Sequence, residues 1–171
     1  MDKNNPDIIL REYQPDDIHA LENCLTSLQE YLVSLDAWKR LRCESGFGAY
    51  YADKTLGKVK RNQGRIYFAQ IGQQIVGCVV GTIQTIQDAA TLEYVPCRIG
   101  VVEELVVLKE YRGTGIGQLL LQKMEFYFAS QSCDLVSIEV FTPNESASAF
   151  YLRQGYQDRD RIVQKRLNYN H

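Results

Sequence analysis

Three glycines spaced two residues apart, Gly113, Gly115 and Gly117, connect an apolar run to a stretch with helical periodicity. The run Leu105–Leu108 is short, partly β-branched and followed by charged residues, which predicts a buried strand. Where a strand turns through glycines into a helix, unpaired backbone N–H groups and the helix dipole favour an anion. Arg112 adds a guanidinium group that suits phosphate oxygens. We therefore predict that this segment binds a diphosphate.

The spacing of these glycines excludes two common phosphate-binding loops. A P-loop carries Lys and then Ser or Thr directly after its last glycine, whereas Gln118 follows Gly117 here. The dinucleotide pattern G-x-G-x-x-G fails as well, because its third glycine would fall on Gln118 or on Leu120. The loop therefore belongs to another class of anion-binding motif.

The spacing Arg112-x-x-Gly115-x-Gly117 resembles the R/Q-x-x-G-x-G/A acetyl-CoA loop of the GNAT superfamily of N-acetyltransferases. A second block, Asn144–Tyr156, is similar to the N…A…FY…GF segment of that family, in the family's order and at its usual separation. The resemblance implies a GNAT fold in one domain over residues 1–171. It also implies an α/β architecture with a central mixed, mostly antiparallel sheet flanked by helices on both faces.

The same resemblance implies which residues hold the cosubstrate, acetyl-CoA or CoA. In the family, free backbone groups of the core strand hold the pantetheine arm as a neighbouring strand would. Asn144 is expected both to contact this arm and to cap the helix that follows it. No metal is expected. The residues expected to bind the cosubstrate are Leu105, Val106, Val107, Arg112, Gly113, Thr114, Gly115, Ile116, Gly117, Gln118, Asn144 and Ala147.

Two adjacent acidic residues, Glu103 and Glu104, interrupt the apolar strand. Neighbours on a strand point to opposite faces, so one of them is expected to be buried, which would raise its pKa toward that of a general base. Glu103 lies nine residues before Arg112, where polyamine-acetylating members of the family carry their proposed base. We expect Glu103 to be the base and Glu104 to hold a cationic acceptor. The alternative is an exposed pair at the end of the strand.

Tyr151 lies seven residues after Asn144, between Phe150 and Leu152. Its neighbours alone would make it a core residue. By resemblance it matches the family's general acid, whose hydroxyl reaches the CoA sulfur. No cysteine is placed for a covalent acyl-enzyme, so we expect direct transfer in a ternary complex.

The two carboxylates favour a small primary amine as acceptor, similar to a polyamine or an aminoglycoside. Two alternatives stay open: a protein or peptide amine, and a non-catalytic CoA-binding regulatory module. The presence of both Glu103 and Tyr151 disfavours the second alternative. In the family, the region that corresponds to residues 36–64 covers the acceptor end of the cleft and varies most.

Whole-chain composition excludes several other functions. The 171 residues carry a net charge of -2, which argues against a nucleic-acid partner. The polar N-terminus and the lack of a run of ~20 apolar residues predict a cytoplasmic chain with no membrane partner. Five cysteines without a C-x-x-C pair, and histidines only at His19 and His171, argue against disulfides, zinc and a Cys-His nucleophile. Dimers are common in the family, so a homodimer stays open.

Periodicity and turn residues predict the elements that must position these groups. Their order, β-α-α-β-β-β-α-β-α-β-β, is that of a GNAT fold, and Gly77 and Gly81 suggest bulges or close backbone contact. The predicted elements are a strand over Ile8–Tyr13, a helix from Pro15 to about Leu35, a helix over Gly48–Arg61, strands over Ile66–Ile71, Gln74–Ile86 and Ile99–Leu108, a helix after the glycines, a strand over Asp134–Phe141, a helix to about Gln154 closed by Gly155, and a hairpin of Tyr156–Arg159 with Arg161–Asn168.

Overall fold

One sheet of five strands, in the order β1-β2-β3-β4-β5, runs through the computed structural model, which describes residues 7–167. Adjacent strands are antiparallel except β4 and β5, which are parallel. The mixed, mostly antiparallel sheet predicted from the sequence is therefore confirmed. The strands are β1 (Ile8–Glu12), β2 (Arg65–Ile71), β3 (Gln74–Ile86), β4 (Cys97–Val107) and β5 (Leu135–Ile138).

Helices lie on both faces of this sheet, as predicted. Two of them, α1 and α2, pack on one face, and α3 packs on the other. In the described part of the chain, no helix is both long and apolar enough to cross a membrane. The helices are α1 (Ile18–Leu35), α2 (Phe47–Arg61), α3 (Ile116–Ser130) and α4 (Glu145–Arg153).

The start of α1 follows from its local sequence. Pro15 opens a short 3-10 turn over Pro15–Asp17, which leads directly into the helix. The Asp17 carboxylate accepts the backbone N–H of Gln14 at 2.7 Å and both terminal nitrogens of Arg11 at 2.7 Å. These bonds fix the entry of the chain into α1 and tie it to β1.

Two apolar layers hold the helices to the sheet. The α3 layer contains Phe128, whose ring lies against two glycines of the sheet, Gly81 and Gly100. A Cβ atom at Gly81 would lie 2.6 Å from Cζ of Phe128, so a side chain there would displace the ring. The layer under α1 and α2 is formed by Leu21, Cys24, Leu25, Ala52, Ile66, Phe68, Cys78, Val80 and Val106.

A β-bulge interrupts β4 near its middle. The pairing register shifts so that Val80 lies opposite Glu104, whereas the next residue, Gly81, lies opposite Val102. Glu103 therefore has no residue opposite it in β3. The predicted bulge at Gly81 is thus present, but the extra residue belongs to the partner strand.

Past this bulge, β4 loses its other neighbour. The parallel strand β5 pairs only with residues 99–102 of β4. Residues 103–107 have no strand on that side within the described part of the chain. A gap therefore opens between β4 and the segment that leads from β5 into α4.

The predicted C-terminal hairpin is wrong for the described residues, because 156–167 contain no strand. The side chains of Ile162 and Val163 are exposed, so no apolar layer covers the alternating pattern that predicted the strands. The tail instead contacts Trp38, whose backbone oxygen accepts a hydrogen bond from Arg166 Nη2 at 2.8 Å. The last residue of the predicted hairpin, Asn168, lies outside the described residues. Strand β5 is also shorter than predicted.

Candidate active site

The glycine loop forms the N-terminus of α3. Gly113 and Gly115 have φ angles of +77° and +86°, a left-handed conformation that favours glycine. The hydroxyl of Thr114 donates to the backbone oxygen of Tyr111 at 2.6 Å and closes the loop. The first hydrogen bond into the helix runs from Leu119 N–H to the Gly115 oxygen at 3.1 Å. The six amides of residues 113–118 have no acceptor within residues 7–167, which makes the loop suitable for an anion.

Arg112 is held beside this loop by two contacts. Its Nε donates to the backbone oxygen of Val107 at 3.0 Å. Its guanidinium group lies 4.5 Å from the ring centroid of Tyr31 on α1. The Tyr31 hydroxyl lies 3.3 Å from Oγ of Ser146, at the start of α4. Arg112 therefore sits where the loop, α1 and α4 meet.

The free edge of β4 leads away from the loop. The bond from Leu108 N–H to the Val76 oxygen, at 2.9 Å, marks an antiparallel pair in which backbone groups point toward β3. Because this pattern alternates, the groups of Val106 also point toward β3, whereas those of Leu105 and Val107 point into the gap. Of the three residues whose backbone was expected to bind the cosubstrate, Leu105 and Val107 therefore face the gap and Val106 does not.

Asn144 caps α4, as the sequence suggested. Its side-chain oxygen accepts the N–H of Ala147 at 3.2 Å and the hydroxyl of Ser146 at 2.9 Å, and the residue is buried. These bonds fix the turn that follows β5.

Tyr151 is buried on α4 between two other aromatic rings. Its ring meets Phe150 and Tyr156 edge to face, at centroid distances of 5.1 and 5.6 Å. Its hydroxyl has no hydrogen-bond partner within residues 7–167. Burial, and secondarily the negative charge of Glu104, raise the pKa of the Tyr151 hydroxyl. The hydroxyl therefore stays protonated, within electrostatic reach of Glu104.

The bulge turns both acidic residues of β4 toward α2, so the strict alternation expected for Glu103 and Glu104 does not hold. Glu103 accepts hydrogen bonds from Nζ of Lys58 and from the Thr82 hydroxyl, each at 2.5 Å. Glu104 accepts one from the Tyr51 hydroxyl at 2.6 Å. Each carboxylate thus has its own partner: an ammonium group for the first and a phenol for the second.

The pKa of the Glu104 carboxyl is strongly raised, to about 7. Burial is the main cause, because it disfavours the charged carboxylate. The hydrogen bond from Tyr51 lowers the pKa, the charge of Glu103 raises it, and Lys58 and Lys54 lower it further. A carboxyl with this pKa exchanges a proton near neutral pH, which suits a general base.

The two glutamates border a small cavity of about 80 Å³ between α2 and the sheet. The side chains of Tyr51, Lys54 and Lys58 line its α2 side. A larger open groove of about 480 Å³ continues from Lys58 and Glu103 along the C-terminal end of α2. We call these the inner cavity and the outer groove.

The sequence reasoning did not single out Tyr51, Lys58 or Thr82. Tyr51 and Lys58 lie in the segment that was expected to vary, and Thr82 lies in a predicted strand in which only the glycines Gly77 and Gly81 drew attention. A signal was present, because residues 51, 54, 55 and 58 recur at helical spacing and share one face of α2. Only the fold shows that this face meets the two glutamates.

Replacing Glu104 with Gln should stabilise the protein more at high pH than at low pH. The folded carboxyl has a pKa of about 7 against an ordinary 4.5, so its ionisation costs stability as the pH rises through 7. The Glu104→Gln variant lacks this cost. Urea unfolding at pH 5 and pH 8.5 should show the variant gaining roughly 2 kcal/mol over the wild type across this range. Glu139→Gln, at an exposed site, should show no such gain. If the free energies of unfolding of the wild type and of Glu104→Gln changed equally with pH, the desolvation of this carboxylate would be contradicted.

Known proteins are similar to this chain in sequence and in fold. The chain matches the family model described as the acetyltransferase (GNAT) family over residues 28–156. It is 32% identical over 126 residues to an uncharacterised N-acetyltransferase of Methanocaldococcus jannaschii, a match that covers 73% of each chain. A mutant of the BH1408 protein of Bacillus halodurans has a similar structure, with a TM-score of 0.83, 18% identity, and coverage of 94% of this chain and 99% of that one.

A second similar structure is aminoglycoside N-acetyltransferase AAC(6')-Iy in complex with CoA. Its TM-score is 0.70 and its identity 11%, and the match covers 99% of this chain and 100% of that one. At these identities, the solved structures show the fold alone. The family model and the archaeal relative show more: the chain belongs to the GNAT family and is an acetyl-CoA-dependent N-acetyltransferase.

Proposed function

We propose that the chain transfers an acetyl group directly from acetyl-CoA to a small primary amine in a ternary complex. Glu104 takes a proton from the amine, and Tyr151 supplies one to the departing sulfur. One observation carries this proposal. The free edge of β4 runs from the glycine loop to a half-buried carboxyl whose pKa is about 7, with a protonated tyrosine within electrostatic reach.

The cosubstrate would be held by backbone groups and one side chain. The free amides of residues 113–118 and the guanidinium of Arg112 suit the diphosphate. The gap-facing backbone groups of Leu105 and the N–H of Val107 suit the amides of the pantetheine arm, whereas the Val107 oxygen already accepts from Arg112 Nε. The backbone of Val106 belongs to the β3 ladder, so the proposal gives Val106 only a packing role. When bound, acetyl-CoA supplies the activated acetyl group.

The proposal exchanges the roles that the sequence suggested for the two glutamates. Glu103 already holds the ammonium group of Lys58 and the hydroxyl of Thr82, so both of its oxygens are occupied. Among residues 7–167, Glu104 has a single hydrogen-bond partner, Tyr51, which orients its carboxyl and leaves one oxygen for an amine. An amine with an ordinary pKa of ~10 is an ammonium group at neutral pH, so it must lose a proton before it attacks.

The proton balance closes between the two groups. Glu104 takes a first proton from the ammonium group and releases it to solvent, and it accepts a second proton from the nitrogen as the C–N bond forms and the C–S bond breaks. Tyr151 holds a proton at its phenol oxygen and gives it to the sulfur. The protonated Glu104 returns its second proton to Tyr151, directly or through solvent, so the free base is restored and one proton is released in each cycle.

The acceptor class is the finer part of the proposal. A polyamine or an aminoglycoside fits a site with two carboxylates, and one similar structure is an aminoglycoside acetyltransferase. Here only Glu104 remains for an acceptor amine, because Lys58 neutralises Glu103. A single amine at Glu104 is therefore the common requirement for every acceptor considered.

Binding of acetyl-CoA and of CoA tests the loop, and the chain offers a matched control. Gly115 and Gly46 both have a φ of +86°, both precede a helix, and a Cβ atom at either would meet nothing within 4 Å. Replacing each by Ala therefore imposes the same backbone strain. Calorimetric titration should show binding weakened by roughly tenfold or more, about 1.4 kcal/mol, in Gly115→Ala only.

Equal affinity in Gly115→Ala and Gly46→Ala would place the ligand away from the loop. Failure of the folded wild type to bind either ligand would contradict the cosubstrate proposal itself. Tight binding without transfer to any amine would favour the alternative of a non-catalytic CoA-binding module.

The pH dependence of kcat tests the base. Turnover at saturating substrates should fall below a pH of about 7, as the Glu104 carboxyl gains a proton. The kcat of the Glu104→Gln variant should be roughly 10²–10⁴-fold lower. The fall of kcat on the acid side of the pH profile, the acid limb, should also disappear. Tyr51→Phe removes a hydrogen bond that lowers the pKa of Glu104, so its acid limb should move to higher pH. An unchanged limb in Glu104→Gln would assign the base elsewhere.

Removal of one hydroxyl tests the acid. Tyr151→Phe should reduce kcat by roughly 10²-fold, because the sulfur then leaves without a proton donor. Its affinity for CoA should be retained, since the ring contacts with Phe150 and Tyr156 remain. Tyr156→Phe is the control, because its hydroxyl donates to Glu125 at 2.8 Å and has no role in the proposed transfer. Equal kcat values for the two variants would exclude Tyr151 as the acid.

A further inference from the structure

The outer groove lies on the side of the bulge that faces away from the glycine loop. Along β4, residues 105 and 107 lead toward the loop, Glu104 borders the inner cavity, and Val101 lines the outer groove. An amine held at Glu104 therefore has the cosubstrate on one side and the groove on the other. The rest of the acceptor must extend into the groove, whose volume of about 480 Å³ lies in the range of small-molecule sites.

A row of positive side chains on α2 follows the same path. Lys54, Lys58 and Arg61 are spaced four and three residues apart, so they share one face of the helix. Lys54 and Lys58 line the inner cavity, and Lys58 and Arg61 line the outer groove. Within residues 7–167, only Lys58 among these three has a carboxylate partner, which is Glu103.

The remaining lining of the groove does not balance this charge. Its other polar groups are neutral amides and hydroxyls, including Asn62, Gln63, Gln84 and Thr85. Arg98 donates to the side-chain oxygen of Gln63 at 3.2 Å, which brings a further positive charge to the rim. The single acidic lining residue, Glu103, is already paired. The groove is therefore positive where a polycationic acceptor would place its second amine.

We propose that the natural acceptor is a monoamine that carries an anionic group, a carboxylate or a phosphate, which binds Arg61 in the outer groove. The inference rests on the proposed transfer to an amine at Glu104 and narrows its substrate class. It disfavours polyamines and aminoglycosides, whose distal ammonium groups would meet Arg61. A guanidinium fork binds carboxylate and phosphate in the same geometry, so both belong to the class.

Three probes of equal length separate these possibilities. They are 5-aminopentanoate, 5-aminopentan-1-ol and 1,5-diaminopentane, which share one amine and differ only in a carboxylate, a hydroxyl or an ammonium group at the far end. We expect kcat/KM to fall in that order, with at least roughly a tenfold difference between the first and the last. A preference for the diamine would overturn the inference. O-phosphorylated 5-aminopentan-1-ol then compares phosphate with carboxylate.

Variants of α2 show whether the groove is responsible. Arg61→Gln should raise KM for 5-aminopentanoate more than for the alcohol. The ratio of the kcat/KM values for these two probes should therefore shrink, and Arg61→Lys should restore part of this ratio. Lys60→Gln, at an exposed neighbour that lines neither the cavity nor the groove, should leave the ratio unchanged. An unchanged ratio in Arg61→Gln would overturn the assignment of the anionic group to this residue.

Direct binding keeps this test separate from the chemistry. The same probes are titrated calorimetrically into the CoA-bound protein. Tighter binding of the carboxylate probe, lost in Arg61→Gln, supports the inference even if no acetyl group is transferred. In that case the proposed catalytic roles fail while the acceptor class stands. Equal binding of all three probes would overturn the acceptor class whatever the turnover.

Discussion

The extra residue in β4 is the constraint on which the rest of the site depends. Because Glu103 has no residue opposite it in β3, the side chains of Glu103 and Glu104 both turn toward α2 instead of alternating. Just before this point, pairing with β5 ends at Val102, so no strand pairs with the backbone of Leu105 and Val107 on that side within residues 7–167. One local irregularity thus accompanies both an open strand edge for a ligand and a pair of carboxylates at its end.

Two neighbouring carboxylates in one small cavity would repel each other, and their partners decide how the site resolves this. Lys58 compensates Glu103 with a full positive charge, at 2.5 Å. Tyr51 gives Glu104 only a neutral donor, so the cost of burial falls on Glu104 and its pKa rises to about 7. Identical side chains thereby acquire different chemistry from the two residues that α2 brings to them.

Where the signal was local, the sequence predicted the structure well. The glycine loop, the cap at Asn144 and most helix and strand bounds follow from neighbours within a few residues. The shared direction of the two glutamates could not be read in the same way, because a bulge is a property of two strands at once. The partners of these carboxylates come from residues more than 20 positions away. The hairpin predicted after Tyr156 needed an apolar layer that the described fold does not supply.

The contacts of Arg112 bear on how firmly a ligand is held. A long arginine side chain ordinarily loses much rotational freedom when it closes on a phosphate, and that loss weakens binding. Here the Tyr31 ring and the Val107 oxygen already order the side chain through its guanidinium face and Nε. Both terminal nitrogens have no partner within residues 7–167 and remain for a bidentate pair with phosphate oxygens. This side chain therefore loses its conformational freedom when the protein folds and not when the ligand binds. Because binding does not have to order it, the complex should dissociate more slowly.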